Sequence, residues 1–199
     1  MARSRISVSL GWVTMTLLGS GVAYGVSPAE PSSQVAIVKT VGSGFSVGDA
    51  IGVARTGAEC RDTEERAWSP LVRDRLEETL RAAFAKEAAR SSSSPAWRGD
   101  RVRVDAFVNN LRFDLCGSGS AWRGSADVQV SWTVTSPTTG SVLYQASTRG
   151  SVGQAAFQAG KSSEAMQKAV QIATRTFLSD TRLRVALDSD RRSELHAGR

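Results

Sequence analysis

One stretch of this sequence fits a catalytic pattern: Gly44-Phe45-Ser46-Val47-Gly48 matches G-x-S-x-G. On a sharp strand-to-helix turn, that spacing lifts a serine hydroxyl clear of a sheet for nucleophilic attack, with an Asp and then a His later in the chain. Residues 35–41 could supply the strand before it. Residues 50–54, Ala50-Ile51-Gly52-Val53-Ala54, read as a second strand where a helix is needed. The only histidine, His196, sits in a charged segment near the C-terminus. The motif therefore reads as a glycine-rich turn, with a small serine hydrolase acting through Ser46 as the enzymatic alternative. Other chemistries lack their parts. One His and two Cys leave only carboxylates for a metal, and no Asp/Asn run has calcium-loop spacing. No Ser precedes any of the lysines at Ser-x-x-Lys spacing, and Gly42, Gly44 and Gly48 are not followed by Gly-Lys-Ser/Thr, so no cofactor site is expected. Asp105, Asp114 and Asp127 could be paired for glycoside chemistry, but Asp105 and Asp127 fall at the polar positions of strand patterns.

The N-terminal 25 residues resemble a secretory leader. Arg3 and Arg5 precede an apolar centre at residues 6–18, and Ala23-Tyr24-Gly25 places small residues at −3 and −1 of a cleavage site. An uncleaved membrane anchor is the alternative, but the apolar run is broken by Ser7, Ser9, Thr14 and Thr16 and falls short of the ~20 residues a spanning helix needs. No Cys follows it to accept a lipid. The mature protein is thus expected in the periplasm or outside the cell, with no membrane span. Export changes the reading of Cys60 and Cys116, the only two cysteines. In an oxidising compartment two thiols in one small domain pair, closing a loop of about 57 residues. A reactive thiol is the alternative, and no His lies near either in sequence. The formal charge of +6 drops by two with the leader. Much of the excess is C-terminal, at Arg182, Arg184, Arg191, Arg192 and Arg199, while elsewhere acids and bases alternate as on a solvated helix face. Nucleic acid is not an expected partner of an exported chain.

These residues are positioned by a sheet pattern that dominates residues 101–152. Every second residue is apolar at Val102, Val104, Ala106 and Val108, and Ala126, Val128, Val130, Trp132 and Val134 alternate with polar or charged residues. Ser136-Pro137-Thr138-Thr139-Gly140 breaks the run before Val142, Tyr144 and Ala146 resume it. Period two puts one set of side chains on each face of a strand, and a short Pro/Gly connection favours a hairpin. Ser69-Pro70 is a helix start, and Val72, Leu76, Leu80, Phe84 and Ala88 line one face while Arg73, Glu77, Glu78, Arg81, Lys86 and Glu87 mark the other. Residues 153–160 read as a loop. Ser163 opens a second helix with Met166, Ala169, Val170, Ala173 and Phe177 apolar, and a last short helix holds Leu183, Ala186 and Leu187. The expected domain is an α+β two-layer sandwich, with an antiparallel sheet, mixed at the edge, and two main helices on one face. It spans residues 35–187, after a flexible 26–34 and before a polar tail at 188–199.

Several of these segments resemble an exported proteobacterial envelope domain found with some trypsin-like proteases: Gly57-Ala58-Glu59-Cys60-Arg61, Trp68-Ser69-Pro70, Leu111-Arg112-Phe113-Asp114-Leu115-Cys116, Ala126-Asp127-Val128-Gln129-Val130-Ser131-Trp132 and Gly140-Ser141-Val142-Leu143-Tyr144. The layout is similar to transport-auxiliary lipoproteins and to the amino-terminal domain of TolB, over roughly residues 35–187. The chain lacks the triad of the protease-bearing relatives and the lipidation Cys of the auxiliary lipoproteins. The resemblance implies a stand-alone module with no catalytic residues to carry over.

The expected function is therefore a non-catalytic envelope module that binds other envelope proteins, as a complex subunit or a homo-oligomer, through a sheet edge or the loops near Trp97 and Trp122. Trp68, Trp97 and Trp122 fall outside the regular patterns, where flat rings can fill a partner's pocket or stack on sugars. Packing at the helix start is the structural alternative for Trp68. Glycan or peptidoglycan binding through these rings is the alternative function.

Overall fold

The computed structural model describes residues 36, 38–90, 102–118, 121–158 and 162–197. The leader, residues 26–34 and Trp97 lie outside that set. Six strands and three long helices follow in the order β1 (Val38–Ser43), β2 (Ala50–Thr56), β3 (Asp62–Ala67), α1 (Pro70–Arg90), β4 (Arg103–Ser118), β5 (Ala121–Thr135), β6 (Val142–Gln158), α2 (Ser162–Leu178) and α3 (Thr181–Ala197). The predicted hairpins are present: β4 pairs antiparallel with β5, and β5 with β6. The sheet is mixed on its other side. β1 and β2 both run parallel to β4, β1 against Val104 to Val108 and β2 against Phe113 to Cys116, and β3 closes that side antiparallel to β2. The sheet order is β3-β2-β4-β5-β6, with β1 also on β4.

One irregularity sets the face of every residue in β4. The register slips between Val108 and Asn110, so Asn109 is an extra residue. A bulge of this kind lets Val104, Ala106 and Val108 before it and Leu111 and Leu115 after it all face the core. β5 answers with Ala126, Val128, Val130, Trp132 and Val134.

Among the described residues, helices cover only that apolar face. Ser69 Oγ accepts the Val72 N–H at 3.3 Å and Pro70 takes the first helical position, which starts α1 as the sequence predicts. Leu76, Leu80, Ala83, Phe84 and Ala88 then bury against the sheet. α2 lies beside α1 and over β5 and β6. The first turns of both helices border one cleft, so they run in the same direction. Gly150 of β6 makes the α2 contact: a Cβ there would stand 1.8 Å from the Ala169 carbonyl oxygen. Four aromatic rings fill the space between the layers. Trp132 stacks on Phe177 at 4.6 Å between centroids, and Phe84 and Tyr144 lie tilted around them.

Three boundaries differ from the sequence reading. β6 continues to Gln158, through residues expected to form a loop. β3 was not expected, because none of its six residues is buried. α3 continues through the expected polar tail to Ala197. It is held by Leu183 and Leu187 on the core side, and Asp180 caps it by accepting the Arg182 N–H at 2.9 Å.

Candidate functional site

The Gly44-to-Gly48 motif is a loop joining β1 to β2, and a strand follows it, not a helix. The Ser46 N–H donates to Asp49 Oδ2 at 2.6 Å, which closes the turn, and Ser46 itself is exposed. His196 is carried on α3, with its side chain outside the described set. The loop's fixed partner is Trp68. The Gly48 N–H donates to the Trp68 carbonyl at 2.9 Å, the Trp68 N–H donates to the Asp49 carbonyl at 2.7 Å, and the indole stacks on Phe45 at 4.9 Å. Trp68 is 3% exposed. Of the two readings of Trp68, a surface ring and packing at the helix start, the structure has the second.

Trp122 moves from its expected place. It lies within β5, half-buried, rather than in a loop. Its register partner is Gly117, where a Cβ would stand 2.2 Å from the indole, so the ring lies flat on bare backbone. The outer side of the ring borders a cleft of about 460 Å³ with Ile51, Leu71, Phe113, Leu115 and Met166.

Cys60 and Cys116 are joined in a disulfide, with Cα atoms 5.7 Å apart. Cys116 ends the β2-paired part of β4, and Cys60 closes the tight turn that carries the chain from β2 to β3. Three residues of that turn have positive φ, Gly57 at 78°, Glu59 at 59° and Cys60 at 60°. Glu59 and Cys60 have no glycine's freedom there, so the covalent tie fixes a strained corner.

The face of the sheet away from the helices is mostly polar, with Phe107 exposed on it, and uncovered by any described element. Its carboxylates are engaged in pairs. Asp105 accepts from Arg103 at 3.0 Å and from the Thr40 hydroxyl; Asp114 accepts from Arg55 at 2.7 Å; Asp127 accepts from Arg149 at 2.6 Å and from the Ser151 hydroxyl. Asp114 faces Ser125, so it is a diagonal neighbour of Asp127, whereas Asp105 faces Thr133, six residues and roughly 20 Å further along β5. Among the described residues no group of His, Cys, Asp and Glu could hold a metal ion.

One acid was placed on the wrong side by the sequence pattern. Glu87, expected on the solvated face of α1, is 5% exposed. Arg175 and Gln171 of α2 donate to it at 3.3 Å and 2.9 Å, and Arg90 donates at 2.8 Å. The Arg175 hydrogen bond leads in holding its carboxyl below the ordinary range, against the opposing effect of burial. A carboxyl whose pKa falls on folding adds stability above its unfolded pKa and loses it as pH drops through the folded value. Glu87→Gln is therefore expected to cost about 1–2 kcal/mol at neutral pH, limited by the exposure of both arginines, and progressively less below about pH 4. Urea denaturation of both proteins at neutral and acid pH checks this; a gap independent of pH would show the charge is not what Glu87 contributes.

The two ends of the strand order differ sharply, and β1, six residues paired with β4 alone among the described residues, is a further short edge. β3 is six residues long and carries Asp62, Glu64, Glu65 and Arg66. Short, charged strands are how soluble proteins guard a sheet edge. β6 is 17 residues long, has no strand partner beyond β5 among the described residues, and Arg149 is its only charged residue. That is roughly 55 Å of edge along which alternate residues direct their N–H and C=O groups outward. Val142 at its start is exposed. Nothing in a hydropathy pattern separates an edge strand from a central one, so the sequence could name an edge as the contact without saying which.

No protein-family model matches the chain, and no curated protein sequence matches it. Solved structures to which the chain is similar include a Xanthomonas campestris protein of the DUF330 family, 12% identical, covering 84% of this chain and 92% of that one with a TM-score of 0.39. A candidate lipoprotein from Caulobacter crescentus is 15% identical over 74% of this chain and 92% of its own, with a TM-score of 0.28. PelC from Paraburkholderia phytofirmans, solved as a dodecamer, is 14% identical over 73% of this chain and 90% of its own, with a TM-score of 0.31.

Proposed function

We propose that this chain is a non-catalytic module of the cell envelope that binds protein through the free edge of β6, as a subunit of an envelope assembly. The contrast between a guarded β3 and an unguarded β6 carries the reading. An open strand of this length with one charge is a liability in a protein that stays alone, and a binding surface in one that does not. The disulfide supports an oxidising location, and the leader-like N-terminus agrees with it. Among the described residues no helix is long and apolar enough to cross a membrane.

Gln145 and Ser147 project from β6 on the uncovered face and are exposed. Replacing both with Lys copies the guard that β3 carries. The expected result is an unchanged melting temperature and a loss, by about tenfold or more, of the species captured by photocrosslinking from β6 in intact cells. Capture that survives the double substitution would move the contact away from this edge.

A further inference from the structure

Resting on the reading of β6 as the interaction edge, we propose that its occupant is a second copy of this chain, paired antiparallel β6 to β6 about a twofold axis at Gly150. Four observations converge on that partner. The first is length. A disordered peptide would have to order some 17 residues to cover this edge, at about 1–2 kcal/mol of backbone entropy each. A second β6 is already a strand of matching length and twist, so that cost is absent.

The second is closure. Pairing β6 with the β3 of another copy would build an open-ended array. The six residues of β3 and their charges do not match a 17-residue neutral strand, so the self-complementary pairing is the one that closes. The third is charge. With the axis at Gly150, Arg149 lies opposite Ser151 of the other copy, and the two arginines are kept apart. An axis one residue earlier would set Arg149 against Arg149, and like charges directly opposite destabilise a strand pair.

The fourth observation is on the helix layer. Gln171 and Arg175 reach Glu87 of α1, and Ala169, Val170 and Ala173 are buried beneath α2. At 100° per residue Ile172 falls on the remaining flank, away from α1 and on the side of the β6 edge. It is 39% exposed. The backbone of Ala169 and Ala173 sits directly over Gly150, so Ile172 is level with the proposed axis. Two copies joined there would bring two Ile172 side chains together over the new strand pair and remove both from water.

Purified mature protein is expected to sediment at twice the chain mass and to dissociate on dilution. Ile172→Lys, at an exposed position, is expected to keep the melting temperature and weaken association by about tenfold or more. Ile172→Cys is expected to form a symmetric intermolecular disulfide under mild oxidation, whereas Val185→Cys, exposed on α3, is not. The native cysteines are already bonded to each other and do not compete. A monomer at all concentrations overturns the proposal. So does a dimer or larger ring in which Ile172→Cys fails to crosslink, because the copies then meet elsewhere. These outcomes are separable from the wider reading. A monomer whose β6 lysine variant still loses its captured envelope partner retires the second copy but keeps the edge, and a monomer whose capture is unaffected by those lysines retires both.

Discussion

Reduction of the Cys60–Cys116 bond is expected to lower the unfolding free energy by about 4 kcal/mol, the chain-entropy value for releasing a loop of this length. Against the roughly 5–15 kcal/mol total of an ordinary domain, that is a large fraction. The geometry says where the loss will show first. β3 buries none of its side chains and is held by backbone pairing to β2, and the bonded turn adds a covalent tie to β4 at the end of the β2–β4 pairing. Without the bond, the left-handed conformations at Glu59 and Cys60 lose their constraint, and the corner can relax at the expense of that pairing. Urea denaturation of oxidised and reduced protein, or of a Cys60→Ala/Cys116→Ala variant, reads the total. Amide exchange should quicken in β3 before β5. A change below about 1 kcal/mol would mean that the hairpin holds without its covalent tie, and would remove the link between this fold and an oxidising compartment.

How much of the molecule could be read from its residues depends on which physical quantity each feature expresses. Alternation of apolar and polar side chains follows directly from one-sided burial, so β4, β5 and the start of β6 were legible. It carries no direction, however: β1 and β2 pair parallel to β4 with the same periodicity that an antiparallel strand would show. β3 is held by backbone groups alone, and its run of Asp62, Thr63, Glu64, Glu65 and Arg66 looks like a loop for that reason. Asn109 hides a second limit: the bulge shifts the alternation by one, so the period seen at Val102 to Val108 does not give the faces of Leu111 to Leu115 in the same 16-residue strand.

The helix readings failed where a helix has two neighbours. A single apolar stripe assumes one packing partner, but α1 touches the sheet and α2, so Glu87 lies on a second buried flank with Arg175 and Gln171 as company. Trp68 was ambiguous because a large ring beside a loop motif can face either way, and its stacking on Phe45 resolves it. The proposed site was the least legible. Whether a strand is an edge is a property of the whole topology, and no local window of sequence contains it.

The core that holds α2 over β6 can be tested at one residue. Trp132 is fully buried, stacks on Phe177 of α2, lies near Phe84 of α1, and donates its indole N–H to the Thr148 hydroxyl of β6 at 2.8 Å. It therefore touches both helices and the edge strand at once. Trp132→Ala removes most of a large side chain from a layer whose other rings, Phe84, Phe177 and Tyr144, are packed around it, and is expected to cost about 3–5 kcal/mol in urea denaturation. Thr148→Val removes only the hydroxyl and strands the indole N–H, for which about 1–3 kcal/mol is expected. If the aromatic stack is what seats α2, Trp132→Ala should also raise amide exchange in α2 and in β6 more than in β1. Ile172 would then no longer be held level with Gly150, and association of two copies should weaken along with stability, whereas Thr148→Val should leave association nearly intact. A Trp132→Ala protein with the urea midpoint of the parent would mean that the helix layer is seated by other contacts, and the geometry assigned to the β6 edge would have to be drawn again from those.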